Sequence, residues 1–121
     1  MTAAAYPDKP VRIVVPYPPG GASDTTARVL SEKLKEVTGG NFMVANRPGA
    51  NGNIAAEMVA KSPADGRTLL MANVGPNAIS QTIYPHLNYD VNKGFAPTGQ
   101  TTTVPIVLVA GPYRGSAREG R

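Results

Sequence analysis

The sequence contains no cysteine, which excludes a disulfide framework, a thiolate zinc site and a cysteine nucleophile together. Histidine is nearly absent too. His86 stands alone between Pro85 and Leu87, so neither a metal role nor a triad role is expected of it. Asp8, Asp24, Asp65 and Asp90 are scattered and show no metal-ligand spacing. No apolar window approaches the roughly 20 residues needed to span a bilayer. Residues 1–5 lack the charged start and apolar core of a secretory leader. Ala3-Ala4-Ala5 ahead of Tyr6-Pro7 nevertheless resembles the small-residue end of a cleavage site, as well as it fits an ordinary alanine-rich start. Acidic residues are outnumbered, 8 against 12 basic ones. Outside Arg114, Arg118 and Arg121 the basic residues are dispersed, with no basic stripe interleaved with aromatics, so nucleic acid is not an expected partner. The net charge of +4 gives a mild field that favours small anions.

Glycine and proline are plentiful. The 13 Gly and 12 Pro make up about a fifth of the 121 residues, short of the level that marks disorder. They cluster between periodic segments, which argues for tight, specific loops. With 41% hydrophobic residues, a core is feasible but not rich, and the length fits one small domain or part of a larger one.

Val11, Ile13, Val14 and Val15 form a short apolar run, the pattern of a strand buried on both faces. Ala27, Leu30, Leu34 and Val37 then recur at helical spacing, with Arg28, Glu32, Lys33, Lys35 and Glu36 on the solvent side. Arg28 and Glu32 stand four apart and can pair. Gly39-Gly40 ends that helix. A second strand is expected over residues 42–45. A second helix follows, with Ile54, Met58 and Val59 apolar, and stops near Ser62-Pro63. Asp65-Gly66 signals a turn. A third strand is expected over residues 68–72 and a weak third helix over 78–83, ended by Pro85. Residues 86–99 read as a polar surface excursion, and residues 104–110 as strongly strand-like despite Pro105.

The alternation β-α-β-α-β-α implies α/β architecture with parallel strands. Three Gly/Pro/Asn-rich loops then fall at the carboxyl ends of the strands, the edge where open α/β sheets bind ligands. The first is Tyr17-Pro18-Pro19-Gly20-Gly21-Ala22-Ser23-Asp24. Its glycines let another molecule approach the main chain. Ser23 or Asp24 can cap the following helix, whose free N–H groups and positive dipole end favour an anion. Asn51, Asn53 and Asn77 offer amide donors from the other two loops. Such donors suit a carboxylate without fixing its identity. Neither the dinucleotide fingerprint nor a Walker loop occurs, and no general base stands near Ser23.

Four segments carry a resemblance to a known family: YPDKPVRIVVPYPPGGASD from Tyr6 to Asp24, NRPGANGN from Asn46 to Asn53, PADGRTLL from Pro63 to Leu70, and FAP from Phe95 to Pro97. In order and spacing they resemble the substrate-binding receptors of tripartite tricarboxylate transporters, the Bug family. The resemblance covers roughly Tyr6 to Ala110. It implies part of a type II periplasmic binding protein fold, with no cofactor, no metal and no catalysis. It further implies an extracytoplasmic, periplasmic receptor that captures a small organic carboxylate for the membrane components of the transporter. Carried over, the ligand-binding positions are Tyr17, Pro18, Gly21, Ala22, Ser23 and Asp24 with Asn51, Gly52 and Asn53; Gly75 and Asn77 are added from the third loop. Residues 1–104 would be the N-terminal part of the first α/β domain, residues 105–110 the start of a crossover strand to a missing second domain, and residues 111–121 a disordered, non-family tail. Such receptors are longer than this chain, so a truncated, frameshifted or engineered fragment is expected. The alternatives are a small α/β enzyme acting on an anionic or phosphorylated substrate, and a nonfunctional remnant.

Overall fold

The computed structural model describes residues 5–109. Its elements run in the order β1 (Val11–Val15), α1 (Ala22–Thr38), β2 (Phe42–Asn46), α2 (Asn53–Ala60), β3 (Thr68–Leu70) and α3 (Ser80–Ile83). A single 3₁₀ turn, Ala50–Gly52, leads into α2, and a π-helical turn, Gly75–Ile79, leads into α3. The three strands make one parallel sheet in the order β2-β1-β3. Val11 pairs with Phe42 and Val15 with Asn46 on one side, and Arg12 with Thr68 and Val14 with Leu70 on the other. The βαβαβα reading of the sequence is therefore the architecture of the chain.

β1 is the central strand because its β-branched side chains fit a pleated surface covered on both sides. Val11, Val14 and Val15 are fully buried. The core gathers Val11, Ile13, Val15, Ala27, Phe42 and Met71, with Leu30, Leu34, Val44 and Leu69 packed against it. β2 and β3 are edge strands, and their residues beyond Phe42 are half-buried or exposed. β2 runs one residue further than expected, to Asn46. β3 stops at Leu70 rather than at residue 72, although Met71 N–H still donates to the Val14 carbonyl at 2.9 Å.

The helices depart from the sequence pattern in instructive ways. α1 buries Asp24, Ala27 and Ser31, with Leu30 and Leu34 half-buried, while Val37 is 73% exposed. Seventeen helical residues extend about 25 Å, whereas a five-residue strand extends about 17 Å, so the last turn has no sheet beneath it. Ser31 is tolerated inside because its hydroxyl donates to the Phe42 carbonyl at 2.8 Å. Arg28 pairs with Asp24 rather than with Glu32. Gly39 closes α1 in the left-handed region, its N–H donating to the Lys35 carbonyl. In α2 the small residues Ala55 and Ala56 face inward, fully buried, and Ile54 is half exposed; Ile54 is not the core residue its apolarity suggested. The third helical stretch begins at Gly75, three residues before the expected start.

Residues 86–99 run over the surface as expected, with Leu87, Tyr89, Val91 and Phe95 partly tucked in. Residues 104–109 do not form the expected strand. They pair with no other strand, and Leu108 is fully exposed. A strand needs a ladder partner for its N–H and C=O groups, and none lies beside this segment among the described residues. Ala110 and the tail expected to be disordered, residues 111–121, lie outside the described residues.

Ile13→Ala should cost about 2–5 kcal/mol of unfolding free energy, and Val37→Ala should stay within about 0.5 kcal/mol. Urea denaturation followed by circular dichroism measures both; equal losses would contradict the shortened apolar face of α1.

Candidate binding site

All three strands are parallel, so the loops that follow them share one edge of the sheet. In the first loop Pro16 is fully buried and anchors the turn, while Pro18, Pro19, Gly20 and Gly21 are exposed. The N-cap of α1 is Gly21, with no side-chain cap. Ser23 and Asp24 thus lie inside the first turn and neither is the N-cap residue that the sequence suggested. Asp24 instead reaches backward. One carboxylate oxygen accepts the Gly20 N–H at 2.9 Å and the Arg28 Nε–H at 3.0 Å; the other accepts the Asn46 amide at 3.0 Å. The same Asn46 amide donates to the Tyr17 carbonyl at 3.1 Å.

Asp24 is buried, yet its carboxyl is held well below the usual carboxylate range, by the Arg28 hydrogen bond first and then by Gly20 N–H and Asn46. Arg28 is correspondingly pushed up by Asp24. A network this complete fixes where the first loop and the end of β2 lie relative to α1.

The second loop places Ala50 (φ 47°) and Asn51 (φ 56°) in the left-handed region, followed by Gly52 at φ 90°. Asparagine tolerates that region through local side-chain hydrogen bonding. Gly52 is needed for a further reason: a Cβ there would lie 3.0 Å from Pro16 Cβ and 3.1 Å from Pro76 Cγ. The glycine lets all three loops close on one another. Gly52 is also the N-cap of α2, which again has no side-chain cap. Two helix N-termini therefore lie at this edge without side-chain caps, although at α2 the Gly52 and Asn53 N–H groups already donate to the Gly49 and Ala50 carbonyls.

The third loop completes the junction at Gly75. A Cβ on Gly75 would meet the Tyr17 hydroxyl at 3.0 Å, the Asn51 amide nitrogen at 3.1 Å and the Asn51 carbonyl at 3.2 Å. Tyr17, Asn51 and Gly75, one residue from each loop, thus share one small space. Burial raises the Tyr17 pKa, so its hydroxyl stays a neutral donor. The Asn73 amide donates to the Ser23 hydroxyl at 3.2 Å and links the third loop to the first.

The eleven sequence-derived positions therefore divide. Tyr17, Asn51 and Gly75 converge, Ser23 joins them through Asn73, and Pro18, Gly21 and Ala22 form the exposed rim. Gly52 is the spacer beneath. Three side chains are engaged within the scaffold: Asp24 as described, Asn77 by accepting the Asn73 N–H at 3.1 Å, and Asn53 beside the Tyr89 hydroxyl at 3.0 Å. Sequence reasoning missed Arg28, Asn46, Asn73 and Tyr89. Asn46 and Asn73 carried a legible signal, an asparagine at or just past the end of a strand that opens toward the ligand edge.

Two hollows lie away from this junction. A wide hollow of about 610 Å3 is lined by residues 81–92 of the α3 end and the excursion. A smaller one of about 180 Å3, flanked by Asn53, Glu57 and His86, lies against α2. Neither includes Tyr17, Asn51 or Gly75; at the loop edge Pro18, Pro19, Gly20, Gly21 and Ala22 form an exposed, open platform. Among the described residues no group of three or more His, Cys, Asp or Glu is placed to hold a metal ion, and no helix is long and apolar enough to cross a membrane.

The parallel α/β unit, with three loops along one edge, is part of a periplasmic binding protein fold by its likeness to solved structures. MatC from Rhodopseudomonas palustris, determined with bound malate, is 34% identical with a TM-score of 0.72, covering 76% of this chain and 31% of that one. R. palustris Rpa4515, determined with adipate, is 40% identical with a TM-score of 0.69, covering 72% and 29%. Residues 26–116 match the model of the tripartite tricarboxylate transporter family receptor, and the chain belongs to that family. The match runs past Ala110, where the resemblance in the sequence was expected to end. Protein BugT of Bordetella pertussis is 40% identical over 113 residues, 93% of this chain and 35% of that protein. The chain spans about a third of the length of these relatives.

An aspartate whose folded pKa lies below its unfolded value near 3.9 stabilises fully above that value and loses its effect as pH falls through the folded pKa. Asp24→Asn should therefore lower the melting temperature at neutral pH and flatten the loss of stability below about pH 4. Thermal melts across that range test this; an acid limb as steep as that of the unsubstituted chain would contradict it.

Proposed function

We propose that this chain carries one wall of an extracytoplasmic solute-binding site that takes a carboxylate group of a small organic acid. The observation that carries this reading is the meeting of the Tyr17 hydroxyl, the Asn51 amide and Gly75 between two helix N-termini that lack side-chain caps. A carboxylate accepts up to about four hydrogen bonds, and hydrogen bonds to a charged group contribute roughly 1.5–3 kcal/mol each. Neutral donors and helix dipoles suit a receptor that must release its cargo. Arg28, the one cation of the network, is already engaged by Asp24.

In this reading Tyr17, Asn51 and Ser23 offer side-chain donors, and Gly21 and Ala22 offer main chain at the exposed rim, while Gly52, Asn53 and Gly75 pack beneath, the Gly52 and Asn53 N–H groups already bonded to the Gly49 and Ala50 carbonyls. Pro18 stiffens the rim. Asp24 and Asn77 shape the loops instead of touching ligand. The malate- and adipate-bound relatives support the substrate class. Family membership supports delivery to the membrane components of a tripartite tricarboxylate transporter from the periplasm.

The enzyme reading is weaker on physical grounds. A general base must be within reach and free to accept a proton. Asp24, the carboxylate at this edge, has its oxygens occupied and its pKa depressed. His86 lines the small hollow against α2 instead. Binding without turnover is the function proposed.

An open platform with a few charge-assisted bonds should bind on the order of millimolar. Calorimetric titration with malate and adipate, with dimethyl adipate as the uncharged control, tests the proposal. Saturable heats from the acids alone are expected; no saturation with any acid, or equal response to the diester, would overturn it.

A further inference from the structure

We infer that Tyr89 is the positioning residue of this site, holding the second and third loops in one geometry through its hydroxyl; the role in binding rests on the carboxylate reading above. Tyr89 belongs to none of the three loops. It comes from the surface excursion, and its ring is set edge-on against Phe95, with centroids 5.9 Å apart and planes at 77°. Its hydroxyl lies 2.7 Å from the Pro76 carbonyl and 3.0 Å from the Asn53 side-chain oxygen. With one proton to donate, the nearer carbonyl is the main acceptor. Pro76 and Asn53 flank the point of closest approach between the two loops, where the Gly52 Cβ position is 3.1 Å from Pro76 Cγ.

The Pro76 contact explains the π-helical turn. In an α-helix the Ser80 N–H would donate to the carbonyl four residues back, that of Pro76. Here it donates to the Gly75 carbonyl instead. A helical serine hydroxyl also reaches for the carbonyl four residues back. Yet the fully buried Ser80 hydroxyl has no partner among the described residues. Both Ser80 donors have thus given up one acceptor, and that acceptor is bonded to Tyr89. π turns are rare; the Tyr89 hydroxyl, 2.7 Å from the Pro76 oxygen, takes one of its two lone pairs and competes with Ser80 for it. Removing the hydroxyl ends that competition, lets Ser80 approach the Pro76 carbonyl, tightens the turn toward α, and shifts Gly75 relative to Tyr17 and Asn51.

Two variants of the full chain separate positioning from plain stability. Tyr89→Phe removes the hydroxyl and keeps the ring contact. Phe95→Leu removes the ring contact and keeps the hydroxyl. Without ligand, Tyr89→Phe should displace the Asn53, Asn77 and Ser80 amide resonances, and Phe95→Leu should not. With adipate as probe, Tyr89→Phe should weaken binding about threefold to tenfold, the worth of one hydrogen bond. Phe95→Leu should stay within about twofold even if it melts earlier. Adipate affinity unchanged in Tyr89→Phe, or lost equally in both variants, overturns the inference. If the unsubstituted chain binds no carboxylate, the carboxylate reading fails by itself. The amide resonances then decide the loop-holding role: displaced in Tyr89→Phe alone they sustain it, unmoved they overturn it.

Discussion

The Asp24 carboxylate joins three parts of the chain that have no covalent reason to stay together: the Gly20 amide of the first loop, Arg28 one turn along α1, and Asn46 at the end of β2. Each partner is a donor, and the carboxylate is acceptor-only when ionised, so the arrangement holds only while Asp24 keeps its charge. Arg28 balances that charge locally. The α1 N-terminus therefore remains a favourable place for a second, external anion, which an unbalanced aspartate in the first turn would repel. Asp24 thus shapes the site and at the same time leaves its potential available.

From that brace the remaining loops assemble by close approach. Pro16, Gly52 and Pro76 meet at one contact, and Tyr17, Asn51 and Gly75 at another, with Gly52 and Gly75 both buried. The two contacts depend on one another, because a larger residue at either glycine would drive the loops apart. The result is an open, donor-rich platform. The related chains solved with malate and adipate are about three times as long. A platform made of neutral donors gains most of its strength when water is excluded from it, which explains why an open platform alone should bind weakly.

Much of this was legible in the residues. The βαβαβα order followed from the apolar run at Val11–Val15, the helical spacing after it and the Gly/Pro/Asn breaks. That the three loops share one edge followed from topology alone. What could not be read was where side chains turn once packed. Nothing in the local pattern distinguishes an N-cap aspartate from one that reaches back to Gly20, because both lie just after a Gly-Gly pair. The apolar periodicity of α1 included Val37 because sequence does not reveal how far the sheet extends under a helix. Residues 104–109 read as a strand from their composition, but pairing depends on a neighbour that composition does not show. Tyr89 was invisible for the same reason: its partners lie 36 and 13 residues away.

The central claim is that the three loops form one carboxylate platform. A crystal structure of the chain with adipate tests it most directly. The account predicts one adipate carboxylate within hydrogen-bond distance of Asn51 and of main-chain N–H groups at the start of α1 or α2, with the Asp24–Arg28–Asn46 network unchanged. Adipate seated instead in the hollow lined by residues 81–92, with the loop edge vacant, would contradict it.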